Sequence, residues 1–254
     1  MDEFDIEKRV ALVTGGSSGL GVQFARALGR NGAAVALVAR REHRLRQVEK
    51  ELEEMGVSCN HYPADVTDEE QVRETVKGVV EDFGRIDILV NNAGQAAVEP
   101  TEEHSISSWN SIISTNLTGV FLFTKYVGLV MIEQDYGKII NISSMYGALG
   151  NMYMPSSSYH ASKGAVNTFT RAVAAEWARH KITVNAIAPG FFQSEMTDEI
   201  LDLPEFDRFL RHHCPMGRIG REGELDGALL LLASDASRYI TGQVLYVDGG
   251  WFSV

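Results

Sequence analysis

The chain alternates short, unbroken apolar runs with longer stretches in which apolar residues recur every three or four positions. Residues 10–14 (VALVT), 35–39 (VALVA), 59–66, 87–91 (DILVN), 138–143 (KIINIS), 183–188 and 244–247 predict seven strands. Strands that read as continuous apolar runs are covered by helices on both faces. The stretches between them predict helices. Residues 22–31 carry Phe24, Ala25 and Leu28 on one face, and the charged stretch 44–55 stops at Gly56, a helix-ending residue. Thr67-Asp68-Glu69-Glu70 caps a helix running to about Phe83. Longer helices are expected within 106–131 and over 159–180. Strand and helix in alternation predict an α/β fold, with a doubly wound parallel sheet and helices on both sides. Residues 1–254 then form a single domain, with a substrate lid at about 191–216. Ligands of such sheets lie beyond the carboxyl ends of the strands, so the chemistry is expected there.

Composition narrows the partners. A chain of 254 residues with 44% hydrophobic content suits one α/β layer system, and no repeat or low-complexity tract interrupts it. The net charge of −11 repels phosphate backbones and anionic lipid, so neither nucleic acid nor membrane is an expected partner. The N-terminus is acidic and lacks a signal-peptide pattern, and the apolar stretch 119–132, broken by Lys125, is too short to span a bilayer. Cys59 and Cys214 form no CxxC pair, which points to reduced thiols and a cytoplasmic setting. His212-His213-Cys214 has no second ligand group at zinc-site spacing, so no metal is expected.

After the first strand comes Thr14-Gly15-Gly16-Ser17-Ser18-Gly19-Leu20-Gly21. Glycines between a strand and a helix permit a tight turn and close approach of a pyrophosphate, which the helix N-terminus favours. The second strand ends at Ala39-Arg40-Arg41, with no acid before Glu42. An acid there would bind the ribose 2′-hydroxyl of NAD(H); guanidiniums suit the 2′-phosphate of NADP(H). NADP(H) is therefore preferred over NAD(H), while the alternative of two solvated surface arginines stays open.

Tyr159 and Lys163 stand four apart in a predicted helix and so share a face. A free tyrosine titrates near pH 10, too high for acid–base work at neutrality, and a neighbouring ammonium would favour its phenolate. The spacing by itself is common. Support comes from Ser144 at the end of the fifth strand, where a hydroxyl can donate to a substrate oxygen. Asn116, a mediocre helix former inside a long helix, could hold a water linking Lys163 to solvent.

Taken in order, these motifs resemble the short-chain dehydrogenase/reductase family over nearly the whole chain. The resemblance rests on the 14–21 turn, Asp65-Val66, Asn91-Asn92-Ala93-Gly94, Asn116, Ser144, Tyr159, Lys163, Pro189-Gly190 and Asp248-Gly249-Gly250. It implies a Rossmann-type fold and a secondary alcohol/ketone oxidoreductase. Tyr159 would be the proton donor or acceptor. Lys163 would lower its pKa and hold the nicotinamide ribose. Ser144 would orient the carbonyl, and Asn116 would keep a proton-relay water. It further implies a cofactor site made by Gly15, Ser17, Ser18, Gly19, Leu20, Arg40, Arg41, Asp65, Val66, Asn92, Ala93, Gly94, Tyr159, Lys163, Pro189, Gly190, Phe192 and Ser194. Ser194 stands where the family usually has Thr. Ser18 stands where NADP-preferring relatives often carry a basic residue. The 15-residue gap from Ser144 to Tyr159 is longer than usual and enlarges one wall of the substrate site.

Residues 179–196 and 242–250 look most like bacterial gluconate 5-dehydrogenases, which implies a sugar-acid substrate. Arg208, Arg211, His212 and His213 could meet its carboxylate. The apolar residues Phe191, Phe192, Met196, Phe206, Phe209, Met145, Tyr146, Met152, Tyr153 and Met154 instead suit a bulky apolar ligand, as in hydroxysteroid dehydrogenases or 3-oxoacyl reductases. A non-catalytic cofactor-binding regulator on the same fold is the alternative of another class. A homo-oligomer, dimer or tetramer, is expected by resemblance. Phe121, Phe123, Val127, Phe169, Val173 and Trp177 are candidates for its interface.

Overall fold

In the first strand, β1 (Val10–Thr14), Ala11 and Val13 turn to one side while Val10 and Leu12 turn to the other, and all four are buried. That two-residue period repeats across the sheet and makes two cores. The computed structural model describes residues 3–151, 154–193 and 204–254. The other strands are β2 (Ala34–Ala39), β3 (Cys59–Pro63), β4 (Ile88–Asn91), β5 (Gly137–Ile142), β6 (Ile182–Pro189) and β7 (Val244–Val247). The helices are α1 (Gly19–Arg30), α2 (Glu42–Glu54), α3 (Glu69–Phe83), α4 (Ile106–Ile113), α5 (Gly119–Gln134), α6 (Ser157–Trp177), α7 (Pro204–His213) and α8 (Asp226–Ala233). The seven strands are all parallel, in the order β3-β2-β1-β4-β5-β6-β7.

One core joins Ala11, Val13, Val35 and Leu37 to Phe24 and Leu28 of α1, Leu45 and Leu52 of α2, and Leu229 and Leu232 of α8. The other joins Leu12, Val38, Leu89 and Val184 to Val76 of α3, Phe123 and Val127 of α5, and Val173 of α6. Each large apolar side chain removed from water in this way contributes about 1.5–3 kcal/mol. The order runs outward from β1 in one direction and from β4 in the other. The crevice between their carboxyl ends is the switch point where such sheets bind ligands.

Some boundaries differ from the sequence reading. β3 ends at Pro63, not at 66, because the Asp65 carboxylate accepts hydrogen bonds from the Thr67 N–H and hydroxyl and turns the chain off the sheet. Asp68 caps α3 by accepting from the Gln71 N–H. α8 carries no helical period to read, because its Leu229-Leu230-Leu231-Leu232 run is apolar all round. From Ile106 to Gln134 the chain is helical, interrupted only by one π-helical turn at Ser114–Thr118. By length and composition that stretch could cross a membrane, contrary to the reading of 119–132 as too short. Leu122, Phe123, Val127 and Met131 are buried against the sheet, so core packing accounts for its apolar character. Of the residues suggested for subunit packing, Phe123, Val127 and Val173 belong to this core, whereas Phe121 is 45% exposed.

Candidate active site

A cleft of about 410 Å³ opens at the carboxyl ends of the strands. Its floor is the turn between β1 and α1. Gly15 sits at φ +67°, in the left-handed region, and a Cβ on Gly21 would overlap the Gly15 carbonyl oxygen. Glycine at both positions lets the first turn of α1 pack onto the loop backbone, with Gly19 and Leu20 lining the cleft. Ser18 holds the N-cap position, yet its hydroxyl does not cap the helix. It accepts instead from Arg41 Nη2 at 2.8 Å, with Ser17 Oγ at 3.5 Å from the same nitrogen. The uncapped N–H groups and the guanidinium together suit an anion. Arg41 thus brings positive charge to the place where Ser18 stands for the basic residue of some relatives. Arg40 is largely exposed, with Nη1 3.9 Å from Asp65 Oδ2.

The walls come from strand ends. Ala64, Asp65 and Val66 follow β3, and Asn92, Ala93 and Gly94 follow β4. Thr14 ties the two halves together, since its Oγ1 accepts from the Asn92 and Ala93 N–H groups at 3.0 and 3.1 Å. Asn92 Nδ2 in turn donates to the Thr14 carbonyl at 3.0 Å. Beneath, Asn91 Nδ2 donates to Asn141 Oδ1 (2.9 Å), and Asn141 Nδ2 donates to Thr170 Oγ1 (2.9 Å). This buried relay pins β4 and β5 to α6.

At the far end of the cleft stand Ser144, Tyr159 and Lys163. Lys163 is 5% exposed, and its Nζ donates to the Ile142 carbonyl at the end of β5 (2.7 Å). The Ser143 hydroxyl donates to the Lys163 carbonyl (3.3 Å), fixing α6 against that strand. Lys163 Nζ lies 5.7 Å from the centroid of the Tyr159 ring. Burial pulls the Lys163 ammonium down to about 8. Burial also pushes the Tyr159 phenol above its ordinary value, and a hydrogen bond from Ser144 works against that rise. Sequence reasoning expected Lys163 to lower Tyr159. In the fold the desolvation of Tyr159 outweighs its neighbours, and Ser144 is the group that opposes it.

Asn116 lies behind the cleft, fully buried in the π-helical turn. Its Oδ1 accepts from the Gln95 N–H (2.8 Å), and its Nδ2 donates to the Gln95 carbonyl (2.9 Å) and to Ser162 Oγ (3.0 Å). Of the described residues singled out from sequence for the reaction and the cofactor, the cleft gathers all but Asn116. Ser194, Met152, Tyr153 and Met196 lie outside the described residues. Sequence reasoning missed Thr14, Asn141, Gln95 and Ser162. The first two were detectable as polar residues inside otherwise apolar strands, and Ser162 by its spacing of three from Tyr159 in a helix; Gln95 carried no local signal.

The residues proposed for a carboxylate fare differently. Arg208, Arg211 and His212 are exposed on α7, where Arg211 pairs with Asp207. His213 stacks on Trp251 with ring centroids 5.6 Å apart. None of the four lines the cleft. α7 buries its apolar side, so its cations face away. Phe206, Leu210 and Phe209 on that side pack on Met145, Tyr146, Met154, Phe191 and Tyr159.

Comparison with known proteins agrees with this geometry. Residues 15–252 match the family profile described as enoyl-(acyl carrier protein) reductase. The gluconate 5-dehydrogenase of Gluconobacter oxydans is 40% identical over 249 residues, covering 98% of this chain and 96% of that protein. A 3-oxoacyl-(acyl-carrier-protein) reductase of Thermotoga maritima is 39% identical, covering 96% and 98%. A gluconate 5-dehydrogenase of Burkholderia cenocepacia, solved in complex with NADP and tartrate, superimposes with a TM-score of 0.96 at 37% identity, covering 100% of this chain and 98% of that one.

Proposed function

The chain belongs to the short-chain dehydrogenase/reductase family, and from that premise we propose that it interconverts a secondary alcohol and a ketone on a sugar acid, with NADP(H) preferred over NAD(H). It is an NAD(P)-dependent oxidoreductase acting on a CH–OH group. The observation that carries the proposal is the convergence of Ser144, Tyr159 and Lys163 at one end of a cleft whose other end holds Arg41 over an uncapped helix N-terminus.

The residues fit a dinucleotide. A Cβ at Gly15 would crowd Asn92 and Ala93, and at Gly21 the turn itself, so the glycine turn leaves backbone exposed for phosphate. Arg41, with Arg40 beside it, would hold the 2′-phosphate, while Asp65 and Val66 would meet the adenine. Lys163 would hold the nicotinamide ribose. Pro189, Gly190, Phe192 and, outside the described residues, Ser194 would meet the carboxamide. Bound there, the nicotinamide supplies or takes the hydride. The Tyr159 hydroxyl gives its proton to the carbonyl oxygen in reduction and takes it back in oxidation. Ser144 donates a hydrogen bond to the same oxygen and steadies its developing charge. Lys163, protonated, favours the tyrosinate left behind.

Residues 191–216 would serve as the substrate lid in this reading, with 194–203 outside the described residues. Copies of the chain assemble as a dimer or tetramer, a reading supported by the exposed Phe121 and Leu129 of α5. The free thiols Cys59 and Cys214 are in keeping with a cytoplasmic setting. A second reading, a bulky apolar ketone, is favoured by the wall of Tyr146, Met154, Phe191 and Phe209 around Tyr159. One panel separates the two: D-gluconate and its keto acid, a steroid ketone and a 3-oxoacyl thioester, each with NADP(H) and NAD(H), followed at the nicotinamide absorbance. The proposal expects turnover of the sugar acid with NADP(H). Turnover of the steroid or thioester alone refutes it.

A further inference from the structure

We infer that Ser162 is a positioning residue for the hydride-transfer reaction, because with the Gln95 backbone it fixes which end of the Asn116 amide faces Lys163 and ties that amide to Tyr159. Ser162 is fully buried on α6, on the same face as Tyr159 and Lys163. Its hydroxyl carries a single proton, and that proton is donated to the Tyr159 carbonyl (2.8 Å). Toward Asn116 the oxygen can therefore only accept, and it accepts from Nδ2 at 3.0 Å.

This direction has a consequence across the site. Both Nδ2 protons are engaged, one by Ser162 and one by the Gln95 carbonyl, so Oδ1 must face the Gln95 N–H. A carboxamide oxygen accepts two hydrogen bonds, and Gln95 uses one. Asn116 Oδ1 borders Gly94, where a Cβ would lie 3.5 Å from it and 3.6 Å from Lys163 Nζ. The amide oxygen and the ammonium thus border one small space, which glycine keeps open. Oxygen toward an ammonium is attractive. An amide turned the other way would present an NH2 group to it and would put Oδ1 against the Ser162 oxygen. Ser162 excludes that arrangement together with the Gln95 N–H and carbonyl, and the same hydroxyl grips the backbone of Tyr159. Asn116 and Tyr159, which lie on separate helical segments, are thus joined through this one oxygen.

The inference rests on Tyr159 and Lys163 being the reacting pair, and Tyr159→Phe tests that assignment separately. The experiment is a double-mutant cycle with Ser162→Ala, Asn116→Ala and the pair, using single-turnover rates on the panel substrate that the wild type turns over fastest. The expected result is a fall of about tenfold in the Ser162→Ala rate, the scale of one buried hydrogen bond. NADPH affinity and KM stay at their wild-type values, and no further loss follows when Asn116→Ala is already present. A merely structural role would lower Tm alone. A Ser162→Ala rate within twofold of wild type, or losses that multiply in the pair, overturns the inference. Should Ser162→Ala not fold, Ser162→Cys carries the same test, because a thiol is a poor acceptor of similar shape. A substrate-free readout accompanies the cycle. Exchange of the Asn116 side-chain amide protons should quicken in Ser162→Ala, and unchanged exchange refutes the hydrogen bond itself. A wild type inactive on the whole panel refutes the proposed substrates, while this exchange experiment still decides the role of Ser162 in holding the amide.

Discussion

Replacing Lys163 with Met should change how stability depends on pH, in a way that follows from the burial of one ammonium. The ordinary value for a lysine is 10.5, and in the fold burial lowers Lys163 to about 8. Below pH 8 both folded and unfolded chains hold the proton, so the folded state bears the full cost of a buried charge. Between about 8 and 10.5 the unfolded chain holds more protons than the folded one, so the contribution of Lys163 to stability rises with pH across that window. A tenfold difference in proton affinity is worth about 1.4 kcal/mol, so the change between pH 7 and pH 10 is roughly 2.5 kcal/mol. Other groups move the opposite way. Cys59, pushed up to about 12 by burial, and the buried phenols of Tyr136 and Tyr146 all make the fold less stable in alkali. They are common to both proteins and cancel in the difference. The Ile142 carbonyl loses a donor in the variant at a cost of about 1 kcal/mol that does not vary with pH. Urea unfolding of cofactor-free wild type and Lys163→Met at pH 7, 8, 9 and 10 measures the effect. Relative to wild type, the variant should lose roughly 2.5 kcal/mol of stability between the two extremes. A difference that stays flat within about 0.5 kcal/mol, on the order of the error of such extrapolations, refutes the desolvation argument, and so does one of opposite slope.

Three further outcomes are expected. Arg41→Ala should weaken NADPH by about 10- to 100-fold, the range for a hydrogen bond to a charged group, and leave NADH nearly unchanged in a fluorescence titration; equal losses for both would show that Arg41 serves the turn and not a 2′-phosphate. Tyr159→Phe should abolish turnover yet bind NADPH within about twofold of wild type, since it removes only the proton carrier; retained turnover contradicts the mechanism. Gly128→Ala should destabilise the fold by about 1–3 kcal/mol, because the added Cβ would overlap the Trp177 ring where α5 meets α6; an unchanged Tm would show that the two helices separate freely.

Much of this protein is local enough to be legible along the chain. Apart from β3, whose CNHYP is largely polar, the strands follow from apolar runs, their sidedness from a period of two, and the shared face of Tyr159 and Lys163 from a helical spacing of four. The glycine turn is legible because only a residue without Cβ can pack as Gly21 does. What the tertiary structure decided depends on neighbours far away in sequence. Arg41 is ambiguous between a surface charge and a site residue until parallel pairing of β1 with β2 sets it beside Ser18. Asn116 reads along the chain only as a mediocre helix former, and its partners Gln95 and Ser162 come together around it in the fold. The direction of the Tyr159 shift reverses the sequence expectation, because desolvation sums over every atom packed around the phenol while sequence shows only the lysine four residues on. The cations of α7 point to solvent for the same reason: the helix turns its aromatic side to the cluster beside Tyr159, a surface that exists only once β5, α6 and α7 are brought together.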